Sequence, residues 1–306
     1  MSFSEDVRAE LAGIAPAREC DRLAELSALF HFAGRLHLLG RGEVSLHLDL
    51  STSAAARRAF TLLRAFDVSS EIRTYQRHAF GRETRYQLHV EGGATALELL
   101  ERAGVVDARS RPRGRPPKRV VARSCCRSAY VRGALLAAGS VSPPPSAHLE
   151  VRSESREGAE AVAAAAAEEG GELRVAERGE HALAYAKGID RIAGVLAAAG
   201  ASEAALALQE RAVVGSTRAR ANRLANADHA NLVRTGRAAH AQLQAARRLE
   251  RSGRLEGLAP PLKEIAKLRL KHPSLSLREL GAKCHPPASK SSAQRRLTAL
   301  VRIARR

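Results

Sequence analysis

Near the C-terminal end of the chain, Ser291, Gln294, Arg295, Thr298 and Arg302 recur at the three- and four-residue spacing of a single helix face. These side chains carry the donors and acceptors that read base edges in a DNA major groove: guanidinium to guanine, amide to adenine, hydroxyl to either. Lys290 and Arg296, with Arg305 and Arg306 further along, are placed to neutralise phosphates, contacts that orient a helix without reading sequence. Ser289 stands where an N-cap is expected. Ser289, Lys290, Ser291, Gln294, Arg295, Arg296, Thr298 and Arg302 are therefore the expected DNA-binding set. The competing reading of the same residues is a solvated basic helix packed against two others.

Three helices must position that face. Ala293, Leu297, Leu300, Val301 and Ala304 form the apolar stripe behind it. Pro260-Pro261 opens an earlier helix with Leu262, Ile265, Ala266 and Leu270 on one side, and Pro273 ends it. Ser276-Leu277-Arg278-Glu279 has the form of a capping box, with Leu277 and Leu280 facing inward and His285-Pro286-Pro287 as the turn. The pattern predicts a helix-turn-helix over 255–306. Upstream, 216–252 reads as a polar helical spacer with a thin stripe (Leu224, Leu232, Ala239, Leu243, Ala246, Leu249) and a break near Asn226-Ala227-Asp228. Arg218, Arg220 and Arg223 could add phosphate contacts there.

Charge singles out the same end. Residues 211–306 hold 22 of the 50 Lys and Arg but only 5 of the 32 Asp and Glu, and the chain carries +18 in all. A compositional bias toward arginine would spread the charge evenly; a basic module joined to a neutral body fits a nucleic-acid partner. The N-terminus, Met1-Ser2-Phe3-Ser4-Glu5-Asp6, is unlike a signal peptide, and no apolar run reaches the ~20 residues of a membrane span. A soluble, cytoplasmic, nucleoid-associated protein is expected. Cys20, Cys125, Cys126 and Cys284 lack the two-residue spacing of a zinc knuckle, so reduced thiols are expected, with no metal and no cofactor.

The neutral body reads as a duplication. An apolar helix over 23–36 ends on Gly34, and another over 129–141 ends on Gly139, 105 residues later. Each is followed by a strand (43–50; 147–152), a helix (52–66; 154–168), two strands (71–77 and 84–90; 172–176 and 182–187) and a helix (95–103; 188–199). On the first strand Val44, Leu46, Leu48 and Leu50 share a face. The fold class expected is α+β: two half-domains forming a pseudo-twofold body, then an all-α domain. The segments are 1–106, a basic linker 107–127, 128–210, a helical connector 211–254, and 255–306.

Leu26-Ser27-Ala28-Leu29-Phe30-His31-Phe32-Ala33-Gly34 and Val131-Arg132-Gly133-Ala134-Leu135-Leu136-Ala137-Ala138-Gly139 resemble the LAGLIDADG motif of homing endonucleases. The resemblance implies two helices packed side by side, with small residues, here Ala28, Gly133 and Ala137, permitting close approach. It also implies a carboxylate at the end of each motif holding a divalent metal at the cleaved phosphate. Those positions are Ala33 and Ala138, and the preceding acidic positions of the motif are His31 and Leu136. A methyl group cannot ligate a cation, so the fold is implied without the catalysis.

A degenerate LAGLIDADG duplication followed by a helix-turn-helix is similar to the WhiA regulators of bacteria. Ala221-Asn222-Arg223-Leu224-Ala225-Asn226-Ala227-Asp228, Ala230-Asn231-Leu232 and Pro286-Pro287-Ala288-Ser289-Lys290-Ser291 strengthen that likeness. It implies a non-enzymatic transcription regulator linked to sporulation, cell division and chromosome segregation, bound to double-stranded promoter DNA chiefly through 275–306. Another transcription regulator or RNA polymerase is a further candidate partner.

Four alternatives stay open at this point. The body could be an endonuclease with unrecognised ligands, or a sensor of a small molecule or protein. The linker Pro112-Arg113-Gly114-Arg115-Pro116 has the form of an AT-hook core, among eight basic residues and one Asp over 107–127, or is an ordinary basic connector. Arg73, Tyr75 and Arg77, with Arg85, Gln87 and His89, alternate onto strand faces that could lie along a groove.

Overall fold

The computed structural model describes residues 2–40, 43–77 and 83–305. Arg306 and the side chains of Val44 and Arg77, each given a role above, lie outside the described residues. The chain divides into two compact units, one ending at Ser216 and one beginning at Thr217.

In the first unit, α1 (Phe3–Gly13) precedes the duplicated part. The first half comprises α2 (Glu19–Ala33), β1 (Gly34–Gly40), β2 (Glu43–Leu50), α3 (Ser53–Arg64), β3 (Ser70–Arg77), β4 (Glu83–Val90) and α4 (Ala94–Arg102). The second comprises α5 (Ser124–Ala138), β5 (Gly139–Ser142), β6 (His148–Ser153), α6 (Arg156–Ala167), β7 (Arg174–Arg178), β8 (His181–Lys187) and α7 (Ile189–Ala199). Both sheets are antiparallel with the same order, β1-β2-β4-β3 and β5-β6-β8-β7, so the α+β duplication is present in the topology itself.

The pattern predicted three strands per half, and among the described residues there are four. β1 and β5 begin at the glycine that caps the preceding helix, with no turn residues to announce them. Gly34 leaves α2 at φ −79°, ψ 145°, and Gly139 leaves α5 at φ −76°, ψ 143°. A Cβ on Gly139 would stand 2.6 Å from the Leu135 carbonyl oxygen, and one on Gly34 would collide with that of Phe30. Glycine is required because the strand departs directly over the last helical turn. Helix α1 also went unpredicted, although Ser2 and Glu5 form a capping box and Phe3, Val7 and Leu11 make one buried stripe.

The two halves share one core. Leu46, Leu48 and Leu50 of β2 and Leu149 and Val151 of β6 point into it, while Ser45, His47 and Asp49 lie on the opposite face of β2. α2 and α5 cross at its centre. A Cβ on Gly133 would lie 2.5 Å from the Glu25 carbonyl oxygen and 2.8 Å from Ala28 Cβ, so Gly133 and Ala28 are the small pair that lets the helices touch.

Helix α8 (Ser202–Arg251) runs unbroken for 50 residues, starting earlier than expected and showing no interruption at Asn226-Ala227-Asp228. Asn226 and Asp228 are weak helix formers, which is why the pattern suggested a break, but they do not end the helix. Its stripe is only partly used. Leu224 and Leu232 are 60% and 72% exposed; the helix is buried at Ala204, Ala205 and Leu208 in the first unit, and again only from Gln242 in the second. There Ala245, Ala246 and Leu249 join the core of α9 (Pro260–Lys271), α10 (Leu277–Ala282) and α11 (Lys290–Arg305). Among the described residues no helix is long and apolar enough to cross a membrane.

Candidate nucleic-acid interface

α9, α10 and α11 enclose Ile265, Ala266, Leu280, Cys284, Ala293, Leu297, Leu300 and Ala304. α10 opens with the expected capping box: the Glu279 amide donates to Ser276 Oγ at 3.3 Å, and the Ser276 amide to Glu279 Oε2 at 2.8 Å. The turn then folds back on α10. The Ala288 amide donates to the Gly281 carbonyl at 2.8 Å, and a side chain at 281 would collide with the Ala288 carbonyl oxygen. Ser289 starts α11, its hydroxyl accepting from the Ser292 amide at 3.2 Å and its carbonyl from the Ala293 amide at 2.9 Å.

That framework leaves the expected base-reading face open. Ser291, Gln294, Arg295, Thr298 and Arg302 are exposed and, with Ala299, line one surface, while Ala293, Leu297, Leu300 and Ala304 behind them are buried. Lys290 and Ser289 are exposed at the helix start. Three members are partly committed to the fold. The Thr298 hydroxyl donates to the Gln294 carbonyl at 2.9 Å, so its oxygen remains as an acceptor. Arg296 is half-buried, beside Cys284, and faces away from the set. Ser289 spends its hydroxyl on the cap.

One basic residue of this unit belongs to its interior, which the sequence pattern did not reveal. Arg269 is 2% exposed; Nη1 donates to the Leu275 carbonyl at 2.8 Å and Nη2 to Gln242 Oε1 at 2.8 Å. It ties the end of α8 to α9 and the following turn. Desolvation lowers its pKa.

In the body, α2 and α5 end on Ala33 and Ala138, which line a crevice of about 400 Å³ with Arg8, Arg35, Asp49, Arg85, Glu150 and Glu154 among its other walls. The carboxylates there are engaged: Asp49 accepts from Tyr75 Oη at 2.7 Å and Arg85 Nε at 3.3 Å, Glu150 pairs with His148 at 3.0 Å, and Glu154 pairs with Arg35. Among the described residues no three potential metal ligands converge at these C-terminal helix ends. A second crevice of about 370 Å³ lies beneath 112–114, walled in part by Phe30, His31 and Leu100.

Deeper, Glu25 is fully buried between two guanidiniums. Arg58 Nε and Nη2 donate to it at 2.6 and 3.1 Å, and Arg132 Nε at 2.9 Å. His31 makes a 3.3 Å contact with Ser27 Oγ through Nδ1, and burial holds its pKa down at about 4.

The strand faces are less basic than their spacing suggested. Arg73 pairs with Glu71 at 2.8 Å, and Arg85 and Tyr75 converge on Asp49. The linker core is pinned rather than extended: the Arg113 amide donates to the Val105 carbonyl at 2.8 Å, Pro116 is buried, and a Cβ on Gly114 would lie 2.7 Å from Glu157 Oε2. Arg113 and Arg115 stay exposed.

Comparison with known proteins agrees with this layout. Residues 19–106 match the WhiA N-terminal LAGLIDADG-like domain, 127–218 the WhiA LAGLIDADG-like domain, and 221–304 the WhiA C-terminal HTH domain. A probable cell division protein WhiA from Symbiobacterium thermophilum is 36% identical over 99% of this chain and 98% of its own length. One of the same name from Streptomyces avermitilis is 38% identical over 99% and 92%. The crystal structure of full-length DUF199/WhiA from Thermatoga maritima matches all of this chain and 98% of its own at a TM-score of 0.58 and 22% identity, a likeness of fold.

Proposed function

The chain belongs to the WhiA family, and from that premise we propose that it is a sequence-specific, double-stranded-DNA-binding transcription regulator that cleaves nothing. The observation that carries this reading is α11, whose exposed face presents Ser291, Gln294, Arg295, Thr298 and Arg302 over a fully apolar back. A helix of that build, rigidly started by Ser289 and braced by α10, enters a major groove and reads bases from its N-terminal half. Lys290 supplies a phosphate contact beside it. The proposed targets are promoters of genes for cell division, sporulation and chromosome segregation, the proposed place of work is the nucleoid, and the proposed protein partner is a second transcription regulator or RNA polymerase.

The body acts as a non-catalytic scaffold in this proposal. Ala33 and Ala138 offer methyl groups where a nuclease needs carboxylates, and Asp49, Glu150 and Glu154 nearby are committed to Arg, Tyr or His partners. Magnesium or manganese added with plasmid and chromosomal DNA is expected to produce no nicks. Genome-wide footprinting of the full chain against a Gln294→Ala, Arg295→Ala double variant tests the reader directly. Discrete sites lost in the variant support the assignment; an unchanged footprint overturns it.

A further inference from the structure

The four groups Cys20 Sγ, Asp21 carboxylate, Cys125 Sγ and Cys126 Sγ all lie within 4.8 Å of one another. They come from the first turns of α2 and α5, the two helices that cross at the centre of the body. Cys20 and Cys125 are 105 residues apart, as are Asp21 and Cys126, the same offset that relates Gly34 to Gly139. The cluster is therefore two equivalent pairs facing each other across the pseudo-twofold axis. All three cysteines are free. Asp21 and Cys126 are buried, and Cys20 and Cys125 are half-buried, so the cluster has a lined floor and an approach from solvent.

We propose that Cys20, Asp21, Cys125 and Cys126 form a structural zinc site that clamps the N-termini of α2 and α5. The donor set is right for that ion: three soft thiolates and one carboxylate, four ligands without redox demand, suit tetrahedral zinc. The spacing is close as well. Zinc–sulfur bonds of ~2.3 Å in a tetrahedron separate ligand atoms by ~3.8 Å; Cys125 Sγ and Cys126 Sγ are 4.0 Å apart, and Cys20 Sγ and Asp21 Oδ1 3.5 Å. Small side-chain rotations close the rest.

Two sources of positive potential face the four ligands. Three thiols release their protons to solvent when the ion enters, which leaves an excess of negative charge. Two helix N-termini point at it, and neither Arg18 nor Arg123, the N-cap residues, supplies a side-chain cap, so the first-turn amides are available to the sulfurs. Arg18 Nη1 already lies 3.7 Å from Cys125 Sγ.

The test uses the full-length protein, prepared under reducing conditions and dialysed against zinc. Metal analysis is expected to find about one zinc per chain, and cobalt in its place is expected to give the visible absorption of a tetrahedral thiolate complex. Cys20→Ser and Asp21→Asn, checked for folding by circular dichroism, should weaken zinc binding by more than the ~10–100-fold that outer-shell partners cost. Cys284→Ser, whose thiol is buried in the other unit, should leave binding unchanged. A chelator should lower the melting temperature of the wild type but not of Cys20→Ser. Wild-type protein that retains no zinc and gives no cobalt spectrum overturns the proposal, as does binding that survives Cys20→Ser together with Cys126→Ser.

Discussion

Arg132 Nε donates to Glu25 Oε2 at 2.9 Å, a bond that joins α5 of the second half to α2 of the first in an environment closed to water. Gly133, the next residue, is what allows the approach, since any Cβ there would press on the Glu25 carbonyl oxygen at 2.5 Å. One acid and two successive residues of α5 thus weld the duplicated halves, with Arg58 closing the other side of the carboxylate.

Removing the acid should be costly because two guanidiniums would remain buried without it. Glu25→Ala is expected to lower the stability of the body by ~3–5 kcal/mol, the range for breaking a buried ion pair from one side. Chemical denaturation of the full chain measures it. A loss under 1 kcal/mol would show that the two arginines find other partners or water.

Acid should weaken the fold through His31. Its pKa falls from 6.5 to about 4 because burial disfavours the charged ring. The unfolded chain therefore binds a proton that the folded chain refuses, and stability drops as pH falls from 6.5 through 4, levelling off below. At ~1.36 kcal/mol per unit the loss approaches ~3 kcal/mol. Urea melts at pH 7, 5.5 and 4 should show a shallower decline in His31→Leu than in wild type; parallel declines would put the acid sensitivity elsewhere.

On α11, base-reading and phosphate-binding residues should separate in their salt behaviour. Arg295→Ala and Gln294→Ala are each expected to cost ~1–3 kcal/mol on the preferred site and little on random DNA. Lys290→Ala should weaken both alike and reduce the slope of log K against log salt by about 1. Fluorescence anisotropy across a salt series decides it. Equal losses on specific and random duplexes from Arg295→Ala would make the face a simple polycation.

Arg269 should matter for folding and not for DNA. Arg269→Ala strips hydrogen bonds from the Leu275 carbonyl and Gln242, and charged hydrogen bonds of this kind are worth ~1.5–3 kcal/mol each. The second unit should melt earlier, while DNA affinity measured well below that melt stays near wild type. A selective loss of affinity in a fully folded variant would make Arg269 part of the interface.

Much of this architecture was legible in the chain because it rests on local chemistry. The Ser276–Glu279 capping box, the stripe of Ala293, Leu297, Leu300 and Ala304, and the two glycine-terminated helices each announce themselves within a few residues. What escaped rests on distant partners. β5 is four residues long and starts on a helix cap, too brief for an alternating pattern. Arg269 looks like any other residue of a basic tail until its carbonyl partners are in place. The sulfur cluster is hidden by spacing: Cys20 and Cys125 share no local motif, and only the 105-residue offset already visible in Gly34 and Gly139 would have paired them.

Along α8, residues 213–232 are exposed on every side. A solvent-facing stretch of this kind is a length reserve. Each residue added or deleted within it changes the helix by ~1.5 Å of rise and ~100° of turn, and no buried core residue of either unit lies in it. Length drift among related chains should therefore collect in this stretch.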